Sequence, residues 1–138
     1  MLNELIKALF DLLKADATLI KYLSTYIGLP SIFTADAVPN DARLPYIAIA
    51  LVSDTSVDTK DELGRDIWLD IGVWYDPRGT AVDINDAAER VRTLLHKKTI
   101  TLASFELLSM TVSNIISVAV DPDYNGRIVS IRVYLEKK

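Results

Sequence analysis

The chain has 138 residues, half of them apolar and a quarter charged, with a formal net charge of −4. That length and balance predict one folded domain, spanning residues 1–138, with a sizeable core, and exclude a disordered chain. The acidic balance argues against electrostatic capture of nucleic acid, which needs clustered Lys and Arg to displace phosphate counterions, but not against DNA sliding past ungripped; the lack of cysteine removes disulfides, thiolate nucleophiles and sulfur-ligated metals.

The N-terminus has no basic leader, and Glu4, Lys7 and Asp11 interrupt its apolar stretch. It reads as neither signal peptide nor membrane span, and no other apolar run reaches spanning length, so a soluble chain with no membrane partner is expected. Leu2, Leu5, Ile6, Leu9, Leu12 and Leu13 recur at three- and four-residue spacing, as one face of a helix. A second short helix is expected from an Asp16 N-cap, with Leu19, Ile20, Leu23 and Ile27 as its stripe and Gly28 and Pro30 as its stop. Residues 31–33 suit a short strand, and 35–45, with two prolines, a loop.

Residues 45–52 read as a strand apolar on both faces, hence central or covered on both sides. Residues 53–64 are polar, a long hairpin arm or mobile loop carrying Asp54, Asp58, Lys60, Asp61 and Glu62. Residues 66–75 alternate: Ile67, Leu69, Ile71, Val73 and Tyr75 face one way, and Trp68, Asp70, Gly72 and Trp74 the other. After a turn at 76–79, Thr80 and Asp83 resemble a capping box, and Ile84, Ala87, Ala88, Val91, Leu94 and Leu95 form the strongest helical stripe in the chain.

Residues 110–120 and 127–135 are predicted strands joined through 121–126, with Asn125-Gly126 as the turn signal. In the last strand Val129, Ile131, Val133 and Leu135 share one face, and Ile128, Ser130, Arg132, Tyr134 and Glu136 the other. The order is α-α-(β)-β-β-α-β-β. It predicts an α+β fold, a largely antiparallel sheet of four to five strands with helices packed on one face.

Catalytic constellations are missing from the pattern. His96 is the sole histidine and sits near the end of the long helix beside Lys97 and Lys98, where a cation would complement the carbonyl end of the dipole. There is no His-x-x-x-His, Gly-x-Ser-x-Gly or Gly-rich phosphate loop, and the spacing of Asp54, Asp58 and Glu62 is not that of an EF-hand. The carboxylate pairs Asp61/Glu62 and Asp121/Asp123 lie in hydrophilic loops, where nothing splits their pKa values. No enzyme, cofactor or metal site is expected.

An association surface is more legible. Trp68 and Trp74, the Ile116/Val118/Val120 side of one strand and the Ile128/Tyr134 side of another would share the face away from the core stripes. A sheet with helices on one side leaves that second face exposed; the competing expectation is that the N-terminal helices cover it. Trp68, Trp74, Ile116, Val118, Ile128 and Tyr134 are therefore candidate oligomer contacts.

The order and spacing of several short elements carry a resemblance. They are Ile32-Phe33-Thr34-Ala35-Asp36-Ala37-Val38-Pro39, Leu44-Pro45-Tyr46-Ile47 opening a long strand, a polar arm, and Ile67-Trp68-Leu69-Asp70-Ile71-Gly72-Val73-Trp74. A helix from Gly79 to a Leu94-Leu95 end and a closing hairpin with Asp121 ahead of its turn complete the set. Across nearly its full length the chain resembles the tail completion, or tail terminator, family of long-tailed phages and prophages, which includes tail-to-head joining proteins. The resemblance implies a subunit of a ring, expected to be hexameric, that caps the head-proximal end of the tail. Its partners would be copies of itself, the major tail tube protein and the head connector or head-closure protein, and it would be assembled in the host cytoplasm into the neck end of the virion tail. It further implies that the arm, with Asp54, Asp58, Lys60, Asp61 and Glu62, reaches toward the lumen or a neighbour, where acidic groups would repel DNA. The alternatives are another neck component, of the head-closure or connector kind, and a small α+β ligand-binding or regulatory domain.

Overall fold

A computed structural model describes residues 2–78, 81–121 and 124–138. Helix α1 (Leu2–Lys14) buries Leu5, Leu9 and Leu13 and turns Asn3, Lys7 and Asp11 to solvent, as its periodicity requires. Helix α2 (Ala17–Ile20) is capped by Asp16, whose side chain accepts from the Leu19 N–H at 2.8 Å.

The second helix is one turn long and does not reach Ile27. Ser24 donates its N–H to the Pro45 carbonyl and its hydroxyl to the Arg43 carbonyl, drawing the backbone out of helical pairing. The chain then folds into a small hairpin, β1 (Thr25–Tyr26) with β2 (Leu29–Pro30), turning at Ile27 and Gly28, both at positive φ. Ile27 is 84% exposed at the tip of that turn, not part of a buried stripe.

The main sheet has the order β3-β4-β5-β7-β6, from β3 (Ile32–Thr34), β4 (Tyr46–Ser56), β5 (Gly64–Tyr75), β6 (Phe105–Asp121) and β7 (Tyr124–Lys137). Only the β3–β4 pair is parallel. The strands run further than their apolar patterns: β4 and β5 extend into the polar arm, leaving 57–63 as its tip, and β6 begins at Phe105. Asn125 and Gly126 lie inside β7, paired with Ala119 and Val118, so they are not the turn. Residues 122 and 123 lie outside the described residues, as do Gly79 and Thr80, on which the end of the 76–79 turn and the capping box depend.

Helix α3 (Ala81–Leu95) lies against β5, β6 and β7, with α1 and α2 beside it. The core joins Ile84, Ala87, Val91 and Leu95 of α3 to Ile67, Leu69, Ile71 and Val73 of β5 and to Val129, Ile131, Val133 and Leu135 of β7. Tyr75 is buried at the end of this row; its hydroxyl donates to the Tyr22 carbonyl at 2.9 Å, and burial pushes its pKa up. Arg90 of α3 grips Asp16 through two hydrogen bonds of 2.8 and 2.7 Å, tying the cap of α2 to α3. β4 lies one strand in from the edge and is covered by helices on one face only, contrary to the both-sides expectation. Ile47 and Ile49 point into the core, whereas small Ala48 and Ala50 lie on the other face.

His96 follows α3, and its Nδ1 accepts the Val112 N–H at 3.0 Å, while Lys97, at positive φ, donates its N–H to the Met110 carbonyl at 2.8 Å. The ring is turned toward the sheet edge, where its Nδ1 serves as an acceptor.

Leu9→Ala is expected to lower unfolding free energy by about 2–5 kcal/mol, because α1 cannot collapse onto the vacated volume. Ile27→Ala should stay within about 0.5 kcal/mol. Urea denaturation of the two variants checks both.

Candidate assembly surface

All three helices pack on the same side of the sheet, so its other face is covered by no helix among the described residues. Strand register decides which side chains share that face. Trp68 stands opposite Arg132, Trp74 opposite Gly126, Gly72 opposite Ile128, and Asp66 opposite Tyr134. On β6, Ile116 pairs with Ile128 and Val118 with Gly126. All six sequence-predicted contact residues therefore lie on one face; the Val120 side chain lies outside the described ones.

Without a covering layer this face is held together by flat, lateral contacts. The Trp74 ring lies down on the backbone of its neighbours: a Cβ at Gly72 would stand 2.6 Å from its Nε1, and one at Gly126 2.5 Å from its Cε3. Both glycines are thus required by ring-to-backbone approach. The Arg132 guanidinium sits 4.8 Å from the ring centroids of both Trp68 and Tyr134. The same guanidinium donates to Asp66 through bonds of 3.0 and 2.8 Å, and Ser130 donates to Asp70 at 2.8 Å. Arg132 holds the Asp66 carboxyl below the usual carboxylate range, mainly through these hydrogen bonds.

Three aromatic residues that pattern reading missed extend the surface. Phe33 pairs with Ala48 and Tyr46 with Trp74, which puts both on the same face. Tyr26 packs edge-on to Phe33 at 5.7 Å and Phe33 to Tyr46 at 5.9 Å. The only signal in the sequence was the aromatic content itself, six tyrosines and two tryptophans.

The arm's charges do not act as one group. Asp54 belongs to β4 and is bound by the Arg65 guanidinium, so its charge is neutralised locally. Asp58 accepts the Gly64 N–H at 3.1 Å and helps fix the arm's base. Lys60 and Asp61 are exposed at the tip, in a turn closed by Thr59 and Glu62. Glu62 lies close enough to Glu136 to raise that carboxyl's pKa, with Glu106 adding to the repulsion.

Among the described residues no group of three or more His, Cys, Asp or Glu is placed to hold a metal. A hollow of about 720 Å³ forms a groove between α1 and β4 lined by Leu2, Ile6, Phe10, Ile49 and Leu51. Its Lys7 is already paired with Asp11 at 3.2 Å, so it lacks the convergent polar groups of a ligand site.

The family model for tail completion protein gp17 matches residues 7–136. The chain belongs to that family. It is therefore a structural tail completion protein of phage type. A search of curated sequences finds no match. Among solved structures, a chain from the "Virion of native gene transfer agent (GTA) particle" superposes with a TM-score of 0.76 at 21% identity, covering 97% of this chain and 96% of that one. That similarity establishes the shared fold.

A depressed carboxyl contributes stability that is present above its unfolded-state pKa and lost as pH falls through its folded value. Lowering the pH from neutral to below the ordinary carboxylate value of about 4 should protonate Asp66, release Arg132 and change Trp68 fluorescence. Asp66→Asn should show the low-pH signal already at neutral pH.

Proposed function

We propose that this tail completion protein works by assembling into a ring that caps the tail tube and offers a docking face to the head connector, and not by catalysis. The observation that carries the reading is the uncovered aromatic face. A monomer that leaves Trp68, Trp74, Ile128 and Tyr134 half-buried on a sheet face with no covering layer gains by meeting another protein there. Family membership supplies the setting, the tail, and the expected partners are other copies of the chain, the tube protein and the connector. A ring requires two different surfaces on each subunit that close by rotation. Capping requires that one end of the ring match the tube while the other does not, so that polymerisation stops. The hexameric state is part of the proposal, as is passage of DNA through the ring without specific binding.

Adding the purified protein to tail tubes should place one ring at one tube end in negative-stain images. Ile116→Asp puts a charge on the open face at a 47%-exposed position and should abolish capping while leaving urea stability within about 0.5 kcal/mol. Binding to the capsid connector but not to tubes would move the protein to the head-closure class.

The arm's free acids, Asp61 and Glu62 with Asp58 beside them, are proposed to face the lumen and repel DNA. Asp54 drops out of that group because Arg65 holds it. Replacing Asp58 and Asp61 by Asn and Glu62 by Gln should reduce phage titre through DNA passage or assembly; an unchanged titre removes the lumen role.

A further inference from the structure

The sheet has two long stretches of strand whose outer edge has no partner among the described residues. On one side β3 ends at Thr34, opposite Ile49, so the outer edge of β4 over 50–56 has no partner among the described residues. Leu51 and Val52 on this stretch are 44% and 57% exposed, beside the apolar groove under α1. On the other side β6 is a 17-residue edge strand. His96 and Lys97 occupy its outer edge at Val112 and Met110, but 113–119 has no described partner.

An edge strand that must stay single is normally short, charged or broken by proline. β6 is none of these, since 107–120 contain no charged residue and no proline. Register shifts near Leu108 and Ser113 bend it, yet 114–118 run in unbroken register against β7. This is the condition of an edge that is covered in use.

The two edges suit one another. β4 and β7 run one way and β5 and β6 the other, because the three pairs that link them are all antiparallel. A second copy placed beside the first with its helices on the same side and its strands in the same direction therefore brings its β4 antiparallel to the first copy's β6. A two-fold β6-to-β6 contact would also be antiparallel, but it would leave the β4 edge and its groove bare. Charge favours the mixed pair as well. Arg92 and Arg127 line the groove beside β6, with only Glu89 against them, and Lys97 and Lys98 stand at its near end. The β4 side carries Asp36, and its Lys7 is spent on Asp11.

We propose that the joint between copies in the ring is a strand-to-strand seam, in which 113–119 of one copy pair antiparallel with 50–56 of the next and make the sheet continuous. The proposal rests on the ring reading above and adds the surface that closes it. It brings Ile116 and Val118 to the seam and turns the aromatic faces of all copies to the same wall of the ring.

The chain has no cysteine, so introduced pairs report cleanly. Ser53 and Ile116 are open-face residues within the two free stretches, by their pairing with Trp68 and Ile128, and they stand opposite each other when 50–56 meets 113–119 antiparallel. Oxidising the Ser53→Cys/Ile116→Cys double variant on tail tubes should give a ladder of linked multimers, while either single variant stays monomeric. Hydrogen exchange on the same wild-type assemblies should move the outward-facing amides of 50–56 and 113–119, those not turned toward β5 or β7, from unprotected to protected. Protection without the ladder still upholds the seam, at a shifted register. Rings whose two edges stay unprotected overturn the seam but leave ring formation standing, and an Ile116→Cys dimer overturns it in favour of the two-fold contact. Absence of any ring, alone or on tubes, overturns the ring reading itself.

Discussion

Burial in this molecule is one-sided. Helices α1, α2 and α3 pack together, and the alternation of β5 and β7 sends one residue in two toward them and the next away. With every helix on that side, the remaining half of each strand has to be stable without a roof. The aromatic rings therefore lie down along the sheet instead of standing off it. Trp74 covers two glycines, and Arg132 fills the gap between Trp68 and Tyr134 while its charge is met by Asp66. Each contact removes apolar surface from water without needing a second layer. The result is a flat and largely prearranged surface, which lowers the ordering cost of association.

Edges pose a second problem that the same architecture creates. A sheet five strands wide with a three-residue strand at one end and a 17-residue strand at the other cannot guard both sides equally. The His96 imidazole and the Lys97 amide protect β6 only where the end of α3 passes it. Farther along, α3 diverges and leaves a groove lined by Asn85, Glu89 and Arg92 on one side and Ile115 and Ser117 on the other. The guarded and unguarded parts of β6 thus follow from where one helix crosses the sheet.

Period-two and period-3.6 patterns carried most of this fold. The buried faces of α1, α3, β5 and β7 are those that the alternation of Leu, Ile and Val implies, and the six open-face residues were placed together by the same arithmetic. What failed were signals that depend on a distant partner. The stripe through Leu23 and Ile27 is locally helical, but Ser24 is recruited by Arg43 and Pro45, across a loop no local pattern could see. Asn125-Gly126 is a strong local turn signal, yet Gly126 is needed beneath Trp74, some fifty residues earlier in the chain. Tyr26, Phe33 and Tyr46 join the aromatic face only because β3 pairs parallel with β4. The arm's charges were legible as charges, but the neutralisation of Asp54 by Arg65 needed the hairpin's register.

A seam between edges and a contact through the open face ask different things of the chain before assembly. A face of laterally packed aromatics is tolerable in a free subunit, because Arg132, Asp66, Asp70 and Ser130 keep it half polar. An uncharged edge strand is not, since any extended backbone can add to it. The net charge of −4 opposes random encounters between free copies at long range, and Arg92 and Arg127 beside β6 would favour a neighbour whose facing edge is acidic. Strand addition would then supply strength at short range through main-chain hydrogen bonds, while the charges decide which edge is accepted. In the proposed ring, that division would assign growth to the backbone and leave the side chains of the open face to whatever the ring encloses or meets.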